Sequence, residues 1–314
     1  MNRLHRCLLL AACLLPAAAP AASRAVWTWE AESYAMVEDE AVAGEAIAYL
    51  KQHGFDTVYL YADAYDGRNL IVDAPQRYHG LIARLHREGL RAYALLGSAY
   101  LNTEAYVLPE RRADAEAMMR RVVDYNLAAP AAARFDGANL DIEPHILDEW
   151  DDDSRERLLA GFLDMSAALM AIKQAAGDDM AVGPAIPFWL DGIELEWNGR
   201  MAPVSEHAID TYDYVALMDY RDFAEGRDSI LSHARSEIDY ANRTGKQVVV
   251  GLEVSPNDID KVTFDEEGPA VFEREAARVE AALRDEPSFA GFAVHHYRAW
   301  RRWVQRHAEA SAGE

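Results

Sequence analysis

Hydrophobic positions along the chain fall into two kinds of stretch. Short apolar runs rich in Val, Tyr, Leu and Ala cover Ala25 to Trp29, Thr57 to Tyr61, Arg91 to Leu96, Gly137 to Ile142, Met180 to Pro184, Tyr214 to Met218, Gln247 to Leu252 and Gly291 to Val294. Between them lie longer segments in which apolar residues recur at helical spacing: Glu40 to Gln52, Gln76 to Glu88, Arg111 to Asn126, Ser154 to Gln174, Asp228 to Asn242 and Ala270 to Arg284. Parallel strands need a crossover, usually a helix, so this alternation predicts βα units rather than a sandwich. Eight strands with their helices predict an α/β chain folded as a single (β/α)8 TIM barrel over residues 24–314, with an open doubly wound sheet as the alternative.

The fourth run carries the chemistry. It continues as Asp136-Gly137-Ala138-Asn139-Leu140-Asp141-Ile142-Glu143. Strand side chains alternate, so Asn139, Asp141 and Glu143 share one face while Leu140 and Ile142 take the other. Two carboxylates two residues apart in a confined site cannot both ionise cheaply, which suits one of them to donate a proton near neutral pH. Barrel chemistry gathers where strands end and βα loops begin. The other strand ends here carry Glu30, Asp63, Ser98, Tyr100, Trp189, Asp219, Tyr220, Arg221, Asp222, Glu253, His295, His296 and Tyr297, an acidic mouth with aromatic walls.

The first 23 residues have Arg3, His5 and Arg6, then an apolar stretch, then Ala and Pro up to Ser23, which is the layout of a secretory signal peptide. The expected product is exported to the periplasm or the extracellular space, without stable insertion in a membrane. Leu10-Ala11-Ala12-Cys13 resembles a lipoprotein box, so an anchor at Cys13 is the alternative. Both cysteines, Cys7 and Cys13, lie in this segment, and a chain cut near Arg24 has none to pair. Formal net charge is -22 and becomes more negative once Arg3 and Arg6 are removed. Such a chain repels nucleic acid and anionic membranes and accepts neutral or cationic partners.

The segment Asp136 to Glu143 resembles the D-G-x-[DN]-x-D-x-E signature of glycoside hydrolase family 18, the chitinase-like (β/α)8 enzymes, where it forms the fourth strand, as here. Tyr214 to Arg221 resembles the family's sixth strand with its Met-x-Tyr-Asp motif, matched by Met218 and Tyr220. The resemblance implies a glycosidase acting on a polysaccharide or oligosaccharide that contains amino sugars, with no cofactor and no metal. It makes Glu143 the general acid and later the base, has Asp141 share charge with Glu143 and orient the reacting group, and has Asp136 and Asn139 support Asp141 from deeper in the barrel. Tyr220 would donate a hydrogen bond to the developing intermediate, and the nucleophile would be the substrate's own N-acetyl carbonyl. The pattern departs from the family at Arg221, flanked by Asp219 and Asp222, and at His295, His296 and Tyr297, where the family carries a Trp under the sugar. These residues are expected to line the substrate cleft, with Trp189 and Glu253.

Other readings compete. His145, with Asp141, Glu253 and His295 or His296, offers metal-binding side chains, and a metal-dependent hydrolase would follow, but their spacing forms no ligand signature. A barrel that has lost its chemistry would be a lectin-like carbohydrate binder; such relatives lack the acid, and Glu143 is present. Trp300 and Trp303 stand at helical spacing in the closing segment and are expected to pack that helix on the barrel.

Overall fold

The computed structural model describes residues 22–312, so the expected signal peptide, apart from Ala22 and Ser23, lies outside the described residues. The strands are β1 (Arg24–Thr28), β2 (Thr57–Tyr61), β3 (Arg91–Leu96), β4 (Gly137–Leu140), β5 (Ala181–Pro187), β6 (Glu194–Trp197), β7 (Arg200–Pro203), β8 (Tyr214–Met218), β9 (Gln247–Glu253) and β10 (Phe289–His295). All except β6 and β7 pair in parallel, in chain order, and β10 returns to β1 to close an eight-stranded barrel. The closed ring rules out the open sheet. Helices α1 (Glu30–Glu38), α2 (Glu40–Gln52), α3 (Leu70–Asp73), α4 (Pro75–Arg87), α5 (Arg112–Ala128), α6 (Arg155–Ala176), α7 (Val204–Thr211), α8 (Ile230–Thr244), α9 (Pro269–Leu283) and α10 (Tyr297–Ala312) alternate with the strands along the chain. β6 and β7 form an antiparallel hairpin outside the barrel.

Alternation along each strand builds two cores. Outward residues such as Val58, Leu60, Ala92, Ala94, Leu140, Val215, Leu217, Val248 and Val250 are buried beneath the helices. Inward residues fill the barrel: Trp27, Tyr59, Tyr93 and Tyr214 meet edge to face in succession, with ring centroids 5.2, 5.7 and 5.9 Å apart. Gly137 makes room for this aromatic layer, because a Cβ there would stand 2.3 Å from the Tyr93 ring. α6 is long and apolar enough to cross a membrane by composition, but half of its apolar stretch is buried within the fold, where the helix packs beside α5 and α7.

α10 seals the barrel as its Trp spacing predicts. Trp300 lies edge-on to Phe55 and Phe272, Trp303 lies against Phe272, and the Trp303 indole N–H donates to the Phe264 carbonyl at 3.1 Å.

One buried group works against stability. Glu237 of α8 is fully buried, neither carboxyl oxygen has a hydrogen-bond partner in good geometry, and Ser205 touches it too poorly to satisfy it. Burial, reinforced by the charge of Asp191, pushes its pKa up to about 8. The unfolded chain ionises near the ordinary carboxylate value, so this residue's contribution is fully present below that value and is lost as pH rises through about 8. Glu237→Gln should therefore gain stability over wild type progressively from near pH 4 to near pH 9 in urea unfolding. A stability difference independent of pH would contradict this account.

Candidate active site

Asp141 and Glu143 follow β4: the Asp141 amide still donates to the Leu96 carbonyl of β3 at 2.7 Å, and Glu143 is in extended backbone, so the alternation continues. The end of β3 crowds them. Gly97 has φ of +108°, and a Cβ there would sit 2.1 Å from the Asp141 carbonyl oxygen, so only glycine permits this approach. Both carboxyls line a cleft of about 280 Å³ with Trp29, Glu30, Tyr100, Thr103 and Glu104. Burial raises both carboxyl pKa values, and the Asp141 charge raises Glu143 further; the His295 imidazole pulls both back. At neutral pH this favours Glu143 in its protonated form.

The floor of the site is built by register. Glu253 and His295 are cross-strand partners of β9 and β10, and His295 Nδ1 lies 2.7 Å from Glu253 Oε2. Glu253 Oε1 accepts from the amides of Val254 and Ser255 at 2.8 and 2.6 Å. The Trp29 indole N–H donates to His295 Nε2 at 3.3 Å, which requires a lone pair there and a proton on Nδ1 facing Glu253. Burial disfavours the imidazolium, but Glu253, with Asp141 and Glu143 behind it, outweighs burial and raises the His295 pKa. The 2.7 Å pair governs over the longer Trp29 contact, which a second proton on Nε2 would break. Tyr220 leans over the same imidazole at 6.0 Å between ring centroids. Burial, then the charges of Glu253, Asp141 and Glu143, keep its phenol protonated and able to donate.

Below this layer, Asn139 accepts from the Trp27 indole at 2.8 Å and reaches the Gly183 carbonyl and Tyr214 hydroxyl at 3.4 and 3.3 Å. It sits on the expected inner face, one step beneath Asp141. Met218 is partly buried at the end of β8, beside Pro187 and Gly251 in register. Trp189 stands beside the cleft, edge-on to His145 at 5.3 Å.

Several expected residues are elsewhere. Asp136 faces outward at the opposite end of β4, accepting from the Ala92 amide at 2.8 Å and pairing with His86 at 2.9 Å, so it does not support Asp141. Arg221 turns away from the cleft: its guanidinium bonds Asp228 Oδ1 at 2.7 Å and the Tyr220 carbonyl at 2.7 Å, and lies 5.0 Å above the Phe188 ring. Asp219 is buried against His233 at 3.0 Å. Asp222 points toward Glu267, and its amide donates to the Lys261 carbonyl. His296 meets the His295 ring edge-on at 4.8 Å between centroids but lines a separate cavity with Ser255 and Arg298, and burial with the charge of His295 pushes its pKa down to about 4. Tyr297 opens α10 and packs on Tyr49, its hydroxyl accepting from Arg301. Sequence reasoning missed Glu104 in the cleft wall, and it missed the contact of His145 with Glu143, whose only signal is a spacing of two.

Among the described residues no group of three or more His, Cys, Asp or Glu is arranged to hold a metal ion. No family model matches the chain, and no curated protein matches its sequence. Solved structures do. A family 18 N-acetylglucosaminidase from Paenibacillus barengoltzii aligns over 90% of this chain and 98% of its own, at 14% identity and a TM-score of 0.52. A family 18 chitinase from Cycas revoluta, solved in complex with (GlcNAc)3, aligns over 88% and 96% at 15% identity with a TM-score of 0.51. An exo-β-1,4-mannosidase from an Opitutaceae bacterium reaches a TM-score of 0.55 at 14% identity, over 88% of this chain and 52% of that one. The fold is thus a divergent (β/α)8 barrel like those of glycoside hydrolase family 18.

Replacing Glu253 with Gln removes the charge that holds the His295 proton. The His295 pKa should fall, read from the pH dependence of its ring-proton NMR shifts. An unchanged titration would detach the pair from one another.

Proposed function

We propose that this protein is an exported glycoside hydrolase that cleaves amino-sugar glycans with retention of configuration, Glu143 serving as acid and then base. The observation that carries this is the placement of Glu143: a carboxyl at the C-terminal end of the fourth barrel strand, lining a cleft, with a second buried carboxyl two residues before it on the same face. That is the face on which barrel enzymes do their chemistry. In the reading, Glu143 protonates the glycosidic oxygen as the bond to C1 breaks, and the carbonyl oxygen of the substrate's N-acetyl group bonds to C1. Tyr220 donates to the cyclised intermediate while Asp141 offsets its positive charge. Glu143, now a carboxylate, takes a proton from water as the water oxygen attacks C1 and opens the ring.

The charge of the cleft supports an amino-sugar substrate. Of the acids expected at the rim, Asp63 is bonded to Arg121, Asp219 to His233 and Glu253 to His295. Glu30, joined to the Ser98 hydroxyl, and Glu104 remain in the cleft wall with Asp141 and Glu143. The arginine that would have opposed a cation, Arg221, is neutralised by Asp228. A partly de-N-acetylated polymer fits this field, with one N-acetyl group kept at the reacting sugar.

Glu143→Gln should abolish hydrolysis of N-acetylated oligosaccharides, by about 10²- to 10⁴-fold or more, with little change in thermal unfolding, because the amide keeps the shape and cannot supply the proton. Wild-type turnover would remove Glu143 from the mechanism. Asp141→Asn removes the charge that raises the Glu143 pKa, so the alkaline limb of the pH–rate profile should move to lower pH as the rate falls. A limb that stays in place would show that the two carboxyls do not interact.

A further inference from the structure

Glu143 has a neighbour that the scheme above does not use. Beyond it the chain turns at Pro144 through a short 3-10 segment, Pro144–Ile146, which brings His145 Nε2 to 3.2 Å from Glu143 Oε2. The ring is held from its other side by two indoles, Trp189 edge-on at 5.3 Å and Trp150 at 6.2 Å. Ile142, Leu159, Phe162 and Leu190 complete an apolar wall around the pair. Within this wall the nearest polar side-chain group to the imidazole is the acid itself, and about a quarter of each side chain remains exposed. Burial in this wall disfavours an imidazolium and lowers the His145 pKa, which favours the neutral ring.

A neutral imidazole beside a carboxyl group can direct its proton. The 3.2 Å contact is not aligned as a hydrogen bond; if Nε2 carries the hydrogen, a small turn of the carboxyl lets it donate to Oε2 and leaves the acidic proton of Glu143 on Oε1. When that proton passes to a leaving group, Oε2 gains charge and the Nε2–H bond becomes charge-assisted, so it strengthens as the reaction proceeds. Resting on the glycosidase reading, we infer that His145 is a positioning residue that fixes the rotamer of Glu143, assigns its proton to the oxygen opposite Nε2, and stabilises the carboxylate left by proton transfer. The imidazole gains and loses no proton, and none passes through it.

The other titratable or charged groups around the carboxyl are Asp141 from β4, Tyr220 from β8, His295 from β10 with Glu253 behind it, and Glu30 and Glu104 in the cleft wall. All of them stay in place when His145 alone is changed. His145→Phe keeps the packing against Trp189 and Trp150 and removes the donor; His145→Gln keeps a donor on a flexible side chain. In the Phe variant kcat should fall about 10- to 100-fold with KM little changed. The alkaline limb should move to higher pH, because a carboxylate that loses a hydrogen bond is harder to form. The Gln variant should recover part of both.

A Phe variant with unchanged kcat and limb would overturn the inference, as would a limb moving to lower pH, which would mean that the imidazole favours the neutral acid. A second readout needs no turnover: infrared titration of 13C-labelled glutamate carboxyls, with Glu143→Gln identifying the band, should show the Glu143 pKa higher in the Phe variant than in wild type. If wild type hydrolyses no glycan the glycosidase reading fails, and this titration still decides whether His145 steers the Glu143 proton.

Discussion

Two carboxyl groups at the end of one strand, shielded from water and facing one imidazole, set the terms for everything above the barrel floor. Burying them raises the cost of ionising either, and their mutual repulsion raises it further for Glu143. The backbone must then approach closely enough to hold them still. Gly97 supplies this, since its missing side chain lets the end of β3 press against the Asp141 carbonyl. His295 supplies the opposing charge without becoming a free cation, because Glu253 holds its other face at 2.7 Å. The buried carboxyls and the imidazole are thus tied together across strands that close the barrel.

Charge elsewhere around the mouth is spent in pairs that leave the cleft clear. Arg221 is bonded to Asp228, Arg121 to Asp63 and Arg298 to Glu32. Pairs of this kind add little stability where they are exposed. Their effect here is to remove fixed positive charge from the space above Asp141 and Glu143, so the field a ligand meets is that of the unpaired acids.

Much of this was legible in the sequence, and the misses follow from a rule the sequence also contains. Alternation put Asn139, Asp141 and Glu143 on one face correctly, and the eight apolar runs each became a barrel strand. The same alternation, applied to Tyr214, Met218 and Tyr220 as inward residues, sends Asp219 and Arg221 outward, where the structure has them. It likewise sends Asp136 away from Asp141. Those residues were expected in the site through the resemblance and their nearness in sequence, and strand parity outranks both. Tyr297 failed differently, because the last strand ends at His295 and the residue belongs to a helix. The hairpin of β6 and β7 went unread despite Asn198-Gly199 at its turn, both at positive φ, a pairing that suits tight hairpins. Glu104 was beyond reach, since a cleft wall made by a loop depends on how that loop folds back.

The central claim is that the carboxyl pair breaks glycosidic bonds in amino-sugar glycans, and product release tests it most directly. Purified protein would be incubated with N-acetylated, de-N-acetylated and neutral oligosaccharides and the products followed by mass spectrometry, with the anomer first formed read by NMR. The account predicts cleavage where an N-acetyl group occupies the reacting sugar, with retained configuration. Products of inverted configuration, or cleavage confined to glycans without N-acetyl groups, would contradict it.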